Sequence, residues 1–289
     1  MARASEAMGA DSMALDADLA EKYERLRAGV RALGSTLVAY SGGVDSALLL
    51  KVATDELGER AVGALASSEA YDEEETRQAV EMATQMGARL VQIETHELED
   101  ERYAANTAER CYFCKTELFD RLEPLAREMG LAHIAYGMNR DDRGDWRPGQ
   151  RAARERQVAA PLDDAGMSKD DIRTLAKYLG VPVWDKLAMA CYSSRIPYGA
   201  RVTVEELRRI GKAERALRAL GFRQLRVRSH DTIARIEVSG DEFARLLETE
   251  TREAVVTAVR AAGYLYVTLD LVGYRTGSLN EALLRRKAE

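Results

Sequence analysis

The sequence predicts an α/β fold, in which a doubly wound parallel sheet is followed by a smaller C-terminal α+β domain. The first two thirds of the 289 residues alternate short runs rich in β-branched residues with segments of helical periodicity. After about residue 200 the order changes to one long helical segment and then to paired segments with period-two alternation. Strands that alternate with helices are typical of a parallel sheet, and a chain of this length is long enough for two domains.

The predicted strands of the first domain place polar segments at one edge of the sheet. Ligands of such sheets bind at the carboxyl ends of the strands. The polar segment 138–166 is rich in turn formers and is predicted to be a long loop, of a kind that is more often functional than idle. The predicted strands span 35–40, 60–68, 88–95 and 131–137. The predicted helices span 44–57, 72–87, 115–130 and 168–180.

The same sequence patterns divide the chain into three parts. Residues 1–19 lack a sustained apolar core with a cleavage site and are predicted to be a flexible leader rather than a signal peptide. Residues 20–199 form the parallel-sheet domain, and residues 200–289 form the small α+β domain with an antiparallel sheet. Its predicted elements are a helix over 202–221, strands over 223–230 and 232–239, a helix over 241–263 and a strand over 264–271.

Composition and charge narrow the class of partner. The apolar and charged fractions, 46% and 31%, are those of an ordinary globular protein, and no apolar stretch approaches the roughly 20 residues of a membrane span. The net charge of −6 disfavours a broad basic face for nucleic acid, because phosphate neutralisation dominates such binding. We therefore expect a cytoplasmic protein that acts on a small molecule, with no nucleic-acid or membrane partner.

The stretch SGGVDS joins the first predicted strand to the first predicted helix. Its glycines let the backbone approach phosphate oxygens without a Cβ in the way, the helix N-terminus supplies positive potential, and its serines add hydroxyl donors. Asp45 places a carboxylate beside the phosphates, which is favourable if the carboxylate helps to hold Mg²⁺ on them. The loop has neither the Lys of a γ-phosphate hydrolase nor the GxGxxG pattern of a dinucleotide site. The predicted cradle residues are Ser41, Gly42, Gly43, Asp45 and Ser46.

Three cysteines form the second notable pattern. Cys111 and Cys114 have CxxC spacing just before a predicted helix, and Cys191 lies far along the chain. An odd number of cysteines in a cytosolic chain argues against a disulfide framework. The helix terminus and Lys115 should favour thiolates. Metal, redox or nucleophilic chemistry is therefore expected.

The chemistry of the cysteines leaves alternatives open. A structural zinc site needs four ligands, and nothing in the spacing of His96 requires it to be the fourth. His133 lies inside an apolar strand and is predicted to be a core residue. Three thiolates without a fourth suit a 4Fe-4S cluster that leaves one iron open. Three ordinary cysteines, buried for packing alone, are the plain alternative.

SGGVDS resembles the PP-loop of the ATP pyrophosphatases, a superfamily that includes NAD, GMP and asparagine synthetases and the tRNA thiolases. The resemblance implies that ATP is cleaved between its α- and β-phosphates, with pyrophosphate released and an adenylylated intermediate formed. In this superfamily adenine is usually recognised by backbone near the end of the second strand, which implies Ala66 and Ser67 here.

Three further stretches resemble the LarE family, the ATP-dependent sulfur transferases of nickel-pincer nucleotide biosynthesis. GMNRDDRGDWRPG, residues 137–149, matches the family loop with Met138 in place of Thr. Residues 160–199, which end in MACYSSRIPYG, match a second segment with Leu187 in place of Pro. LRVRSHDTIARIEV, residues 225–238, matches the signature of the second domain. These last two signatures are much more specific than the PP-loop, and the resemblance covers nearly the whole chain after the leader.

This resemblance implies a substrate, pyridinium-3,5-biscarboxylic acid mononucleotide, whose carboxylate would be adenylylated and then attacked by sulfur to give a thiocarboxylate. In one family variant a single cysteine at the position of Cys191 gives up its own sulfur. In the other, three cysteines hold a 4Fe-4S cluster that carries the sulfur. Because all three are present, we predict the cluster variant, with Cys111, Cys114 and Cys191 as iron ligands. A sulfur-donor protein or sulfide would replenish it, and the family implies a homo-oligomer.

Several charged residues are candidates for contact with substrate. Arg195 has a planar fork that fits a phosphate or a carboxylate, and the ordinary alternative is a surface pair with an acid. Arg226 and Arg228 alternate along a predicted strand and share one face, which suits a phosphate site or a solvated face. Lys186 would stabilise the adenylate phosphates. The sequence leaves open the roles of Asp141, Asp142 and Glu237.

Other functions remain open from the sequence. A tRNA thiolase would use the same loop and a similar cluster, but it would need a basic face. An amide-forming enzyme such as an NAD or GMP synthetase has no use for three cysteines. A nucleotide-binding regulator would hold ATP without turnover, and the acid in the loop argues against it.

Overall fold

The computed structural model describes residues 15–143, 148–186, 190–275 and 277–281. Its first part contains a four-stranded sheet in the order β3-β2-β1-β4, with all strands parallel. The strands are β1 (Thr36–Tyr40), β2 (Ala61–Ser67), β3 (Arg89–Glu94) and β4 (His133–Tyr136). The helices are α1 (Ala17–Leu33), α2 (Val44–Leu57), α3 (Glu73–Gln85), α4 (Glu101–Ala104), α5 (Arg110–Glu128), α6 (Pro148–Glu155), α7 (Pro161–Asp164) and α8 (Lys169–Tyr178).

Alternate residues of β1 show why helices cover both faces of this sheet. Val38 and Tyr40 pack into a core with α1, α2 and α8, whereas Leu37 packs into a second core with α5 and α6. Successive side chains of a strand point to opposite faces, so a strand with apolar residues on both faces requires cover on both sides. The predicted parallel α/β sheet with helices on both faces is therefore confirmed.

A second sheet follows, in the order β5-β6-β7. β5 and β6 are antiparallel, as predicted, but β7 pairs in parallel with β6, so the predicted antiparallel sheet is mixed. The helix α11 connects β6 to β7 and returns the chain in the same direction. This sheet and its helices share a core of their own. The elements are α9 (Val204–Ala219), β5 (Leu225–His230), β6 (Ile233–Val238), α10 (Phe243–Leu247), α11 (Thr249–Ala261) and β7 (Tyr266–Leu269).

Four local predictions need correction. The helix predicted over 115–130 begins at Arg110, so the CxxC pair lies inside it. The segment 138–166 contains α6 and α7 rather than a continuous loop. His133 is exposed rather than in the core, because β4 is an edge strand. The predicted leader ends too late, since α1 is capped by Asp16 and buries Leu19; residues 1–14 lie outside the described ranges.

No helix within the described ranges combines the length and the apolar composition that a membrane crossing requires.

Candidate functional site

The glycine loop lies at the carboxyl end of β1, where the chain turns into α2. Gly42 has φ +72°, and a Cβ there would lie 2.7 Å from the Cβ of Ala79 on α3. Gly43 is the N-cap of α2, and its Cβ would meet nothing closer than Ser41 Oγ at 3.5 Å. The fold therefore requires Gly42, whereas Gly43 leaves the space in front of the helix N-terminus open.

Hydrogen bonds that involve Ser41 and Ser46 stabilise the glycine loop. Ser46 Oγ accepts from the Ser41 N–H at 3.1 Å and donates to the Gly43 carbonyl at 3.0 Å. The end of β4 presses against the same turn, because a Cβ on Gly137 would come within 2.8 Å of the Ser46 nitrogen. The backbone of the loop is therefore fixed by its own serines and by the close approach of Gly137.

A cavity of about 270 Å³ opens in front of this loop. It continues past the end of β2 to the segment that contains Cys191. The predicted site residues that line it are Ser41, Gly42, Gly43, Asp45, Ala66, Lys186, Cys191 and Arg195. The predicted site residues outside its lining are Ser46, Ser67, Cys111, Cys114, Arg226 and Arg228. One cavity therefore joins the nucleotide-binding residues to one of the three cysteines.

Lysines supply positive charge to the cavity wall. Lys169, the first residue of α8, places Nζ 2.5 Å from Asp45 Oδ2. Lys186 forms an ion pair with Glu75 on α3, and Lys115 of α5 also lines the cavity. Sequence reasoning missed Lys169. The signal was available, because the predicted N-cap Ser168 starts a helix at the ligand-binding edge of the sheet, with Lys169 directly after it.

Hydrogen bonds attach the segment that follows Cys191 to the residues that precede the CxxC pair. The amide of Asn106, a residue with φ +53°, donates to the Pro197 carbonyl at 2.8 Å. The guanidinium of Arg110 donates to the Ser193 carbonyl at 2.9 Å, and the Tyr103 hydroxyl lies 2.6 Å from Ser193 Oγ. These buried contacts hold the Cys191 segment against the start of α5, which carries the other two cysteines.

The three cysteines meet where α5 begins. Cys111 and Cys114 are three residues apart on a helix and share one face. Cys114 and Cys191 pack against one apolar cluster, and each CxxC thiol interacts electrostatically with Cys191. Burial raises the pKa of the Cys114 thiol well above its usual range, and the carboxylate of Glu97 adds to the shift.

The direction of these pKa shifts is opposite to the one expected from Lys115 and the helix terminus. Although Cys111 is exposed, desolvation of its thiol also raises its pKa, against the lowering by Arg110. The charge of Lys115 lowers the pKa of Cys114 but does not offset this loss of hydration. Thiols held in such surroundings become ligands only as their protons are released.

The chemistry of the three thiols suits an iron–sulfur cluster. Three soft sulfur ligands converge from two segments, and His96 is exposed beside Glu99 instead of among them. Within the part of the chain that the structure describes, no three Cys, His, Asp or Glu side chains group tightly enough for a single metal ion. A four-iron cluster is larger than one ion, so its thiolates lie farther apart.

The predicted substrate arginines are deeply buried. Arg195 has no exposed side-chain surface, donates to both carboxylate oxygens of Glu214 at 2.8 and 2.9 Å, and also binds the Ala190 carbonyl at 2.7 Å. Burial alone would raise the pKa of Glu214, yet the charge of Arg195 and its hydrogen bonds hold it below the usual range. Arg195 therefore fastens the Cys191 segment to α9.

The two arginines of β5 differ from each other. Arg228 donates to both oxygens of Glu237 at 2.9 Å and to the Ser194 carbonyl at 2.7 Å. Arg226 lies 5.0 Å from the centre of the Tyr274 ring, and burial, with the nearby charge of Arg195, lowers its pKa to about 10. Their contact with a substrate phosphate stays a prediction.

The family loop after β4 connects to the lysine of α8. Asp141 accepts from the Lys169 backbone N–H at 2.8 Å, and Asp142 caps its own turn by accepting from the Asn139 N–H at 3.1 Å. Met138 accepts a hydrogen bond from the Tyr136 hydroxyl. Leu187, the departure from the family pattern before Cys191, lies outside the described residues.

Comparison with known proteins leads to one family. No family model matches the chain. The chain is 44% identical over 267 residues to an uncharacterized protein of Synechocystis sp., an alignment that covers 92% of this chain and all of that protein. An uncharacterized protein of Methanocaldococcus jannaschii is 27% identical over 240 residues, which are 83% of this chain and 90% of the relative.

A relative that carries a functional name identifies the family. The chain is 38% identical over 270 residues to the pyridinium-3,5-bisthiocarboxylic acid mononucleotide synthase of Lactiplantibacillus plantarum, and the alignment covers 93% of this chain and 97% of that enzyme. Similarity of this extent, together with the glycine loop and the cysteine segment that share one cavity, shows that the chain belongs to the LarE family.

Proposed function

We propose that this chain is an ATP-dependent sulfur transferase that converts a carboxylate of pyridinium-3,5-biscarboxylic acid mononucleotide into a thiocarboxylate. The observation that carries the proposal is the single cavity lined at one end by the glycine loop and at the other by Cys191. The relative from Lactiplantibacillus plantarum is named for a bisthiocarboxylic acid mononucleotide, the thio form of this substrate.

The glycine loop would serve the activation step. Its open amides and the N-terminus of α2 suit the β- and γ-phosphates of ATP, and Asp45 suits the Mg²⁺ that accompanies them. A substrate carboxylate oxygen then attacks the α-phosphorus, the bond to the bridging oxygen breaks, and pyrophosphate leaves. The product of this step is an acyl adenylate, whose leaving group is AMP instead of oxide.

The lysines would stabilise the charge that develops on the phosphates. In the free protein Lys169 is bound to Asp45 and Lys186 to Glu75. With Asp45 engaged by Mg²⁺, the ammonium of Lys169 would be available to the phosphate oxygens, since Lys169 lines the same cavity. Fixed groups aimed at developing charge are among the larger contributions to catalysis, and removal of one oxyanion-hole donor costs about 10²–10³ in kcat.

The cysteine segment would serve the sulfur step. A sulfur nucleophile attacks the acyl carbon, the bond to the AMP oxygen breaks, and the thiocarboxylate and AMP leave. Cys111, Cys114 and Cys191 would hold a 4Fe-4S cluster, which supplies a transferable sulfide when it is bound. Cys114 and Cys191 would also limit the access of water to the acyl adenylate, because they pack with Tyr103 and Tyr192 in an apolar cluster.

The experiment is a quantitative turnover assay with anaerobically reconstituted protein. We expect pyrophosphate release that requires both Mg²⁺·ATP and the biscarboxylic mononucleotide, with a product in which oxygen is replaced by sulfur. Unmodified tRNA and ammonia serve as alternative acceptors, and neither should support turnover. Thiolation of tRNA, or amide formation with ammonia, would contradict the proposal.

The same preparation tests the cluster. About four irons and four sulfides per chain are expected, and both should be lost in Cys111→Ala and in Cys191→Ala. An iron-free protein that loses the mass of one sulfur during turnover would show that Cys191 is consumed instead.

A further inference from the structure

Tyr192, which directly follows Cys191, is held by the segment before α3 and by α9. Its hydroxyl donates to the carboxylate of Asp72, and its backbone N–H donates to the Ala70 carbonyl at 2.8 Å. Its ring packs on α9 at Gly211, where a Cβ would lie only 2.9 Å from the ring. The side chain is 4% exposed. A tyrosine with this many fixed contacts has one position available to it.

Asp72 links this tyrosine to the nucleotide-binding side of the cavity. One of its carboxylate oxygens caps α3 by accepting from the Glu74 N–H at 2.9 Å. The other accepts from Tyr192 and, at 3.2 Å, from Arg218 of α9. The helix that Asp72 caps also carries Ala79, which packs on the glycine loop. The buried carboxylate of Asp72 therefore connects α3, which packs beside the glycine loop, with the segment that contains Cys191.

We propose that Tyr192 is a positioning residue for the sulfur step: its bond to Asp72 and its packing on Gly211 hold Cys191 at the cavity. The chemical part of this inference rests on the proposed function, whereas the placement of Cys191 does not. Tyr192 needs no contact with the reacting atoms. It acts through the adjacent backbone, in which the Cys191 carbonyl already accepts from the Ser194 N–H at 3.0 Å.

The size of the effect follows from the geometry that acyl attack requires. Reacting atoms must approach to about 3–3.5 Å in line, and a misplacement of about 1 Å costs on the order of 100-fold in rate. Without the Asp72 acceptor, Tyr192 keeps its packing on Gly211 but loses the anchor of its hydroxyl, so Cys191 is held less firmly. We therefore expect a loss of about tenfold in the sulfur step of Tyr192→Phe, beyond any loss in pyrophosphate release.

The variants are chosen to separate positioning from folding. Tyr192→Phe removes only the hydroxyl. Asp72→Asn keeps an N-cap for α3, since Asn and Asp cap helices equally well, but removes the charged acceptor of Tyr192. Tyr264→Phe is the matched control, because it removes a buried tyrosine hydroxyl that bonds to Ser229 at 2.9 Å in the second sheet's core.

The first measurement is the alkylation rate of Cys191 in metal-free, full-length protein, resolved by peptide mass spectrometry with and without Mg²⁺·ATP. It needs no turnover. We expect the rate in Tyr192→Phe and Asp72→Asn to rise several-fold above wild type, and Tyr264→Phe to match wild type. Rates in all four proteins within twofold of one another would overturn the proposal, whether or not the proposed substrate is correct.

The second measurement is the ratio of thiocarboxylate formed to pyrophosphate released. We expect this ratio to fall about tenfold in Tyr192→Phe and Asp72→Asn, and the double variant to be no worse than either, because both remove one interaction. An unchanged ratio would contradict positioning even if total activity fell. If wild type released no pyrophosphate, the proposed function would fail, and the alkylation rates would still decide the role of Tyr192.

Discussion

Cation–carboxylate pairs occur in two regions of this molecule with very different exposure. At the cavity, the side chains of Lys169 and Asp45 are 34% and 23% exposed, and those of Lys186 and Glu75 are 19% and 26% exposed. Behind the cysteine segment, Arg195 and Glu214 are both fully buried. The buried pair is bidentate and each lysine pair has a single contact, so the pairs differ in both exposure and geometry.

This difference in exposure explains where a charged ligand can bind. A partly exposed pair contributes about 0–1 kcal/mol to stability, so phosphate or Mg²⁺ can replace a partner at little cost. Removal of one partner of a buried pair leaves an uncompensated charge, at a cost of about 3–5 kcal/mol. The lysines are therefore suited to bind substrate, whereas the Arg195–Glu214 and Arg228–Glu237 pairs are suited to hold the cysteine segment on α9 and β5.

The largest predicted effect is on the buried pair. We expect Glu214→Gln to lower the free energy of unfolding by about 3–5 kcal/mol in urea titrations, because the Arg195 charge stays buried. Glu75→Gln, its counterpart at the cavity, should cost no more than about 1 kcal/mol. If Glu214→Gln does not fold, the double variant Arg195→Met with Glu214→Leu should restore folding. Equal losses in Glu214→Gln and Glu75→Gln would remove the distinction between the regions.

The next effect is on catalysis at the cavity. Lys169→Met should reduce the rate of pyrophosphate release by about 10²–10³ while the free energy of unfolding changes by no more than about 1 kcal/mol. Lys177→Met is the control on the same helix, where the ammonium lies 4.7 Å from the Trp184 ring and does not line the cavity. A Lys169→Met protein with wild-type turnover would show that this cation only neutralises Asp45.

The two glycines of the loop separate folding from binding. Gly42→Ala should destabilise the protein by about 1–3 kcal/mol, because its backbone is left-handed and Ala79 leaves no space. Gly43→Ala should change stability by less than about 1 kcal/mol but weaken ATP binding, since its methyl group fills the cradle. Thermal unfolding and ATP titration of both variants measure this. Similar ATP affinity in Gly43→Ala and wild type would place the phosphates elsewhere.

The smallest effect is expected where a pair faces water on all sides. Arg201 and Glu101 make two short hydrogen bonds, but their side chains are 56% and 76% exposed. We expect Arg201→Gln to alter the free energy of unfolding by less than about 0.5 kcal/mol and turnover not at all. A loss comparable to that of Glu214→Gln would mean that geometry, and not burial, determines the strength of these pairs.

The sequence was most informative where structure depends on neighbours along the chain. The first strand, the glycine turn and α2 follow from local periodicity and from Gly42, and all were predicted within one or two residues. The helix α6 was missed because its buried face is only Ala152 and Ala153, too small an apolar stripe to stand out in a polar segment.

The site was less predictable where distant residues determine the chemistry. The partner of Arg195 is nineteen residues away on another helix, so neither its burial nor its pairing was visible. The contact of Lys169 with Asp45 spans 124 residues. The start of α5 at Arg110 depends on bonds to Asn106 and Ser193, which is why the environment of the CxxC thiols was misjudged.

The most direct test of the account is a single turnover of Cys191→Ala with Mg²⁺·ATP and the biscarboxylic mononucleotide. If one cavity joins a nucleotide-activating loop to a separate sulfur-bearing segment, this variant should release pyrophosphate and form no thiocarboxylate. The same reaction in Gly43→Ala should be impaired already at pyrophosphate release. A Cys191→Ala protein that still makes thiocarboxylate, or that fails to release pyrophosphate although it binds ATP normally, would contradict this division of roles.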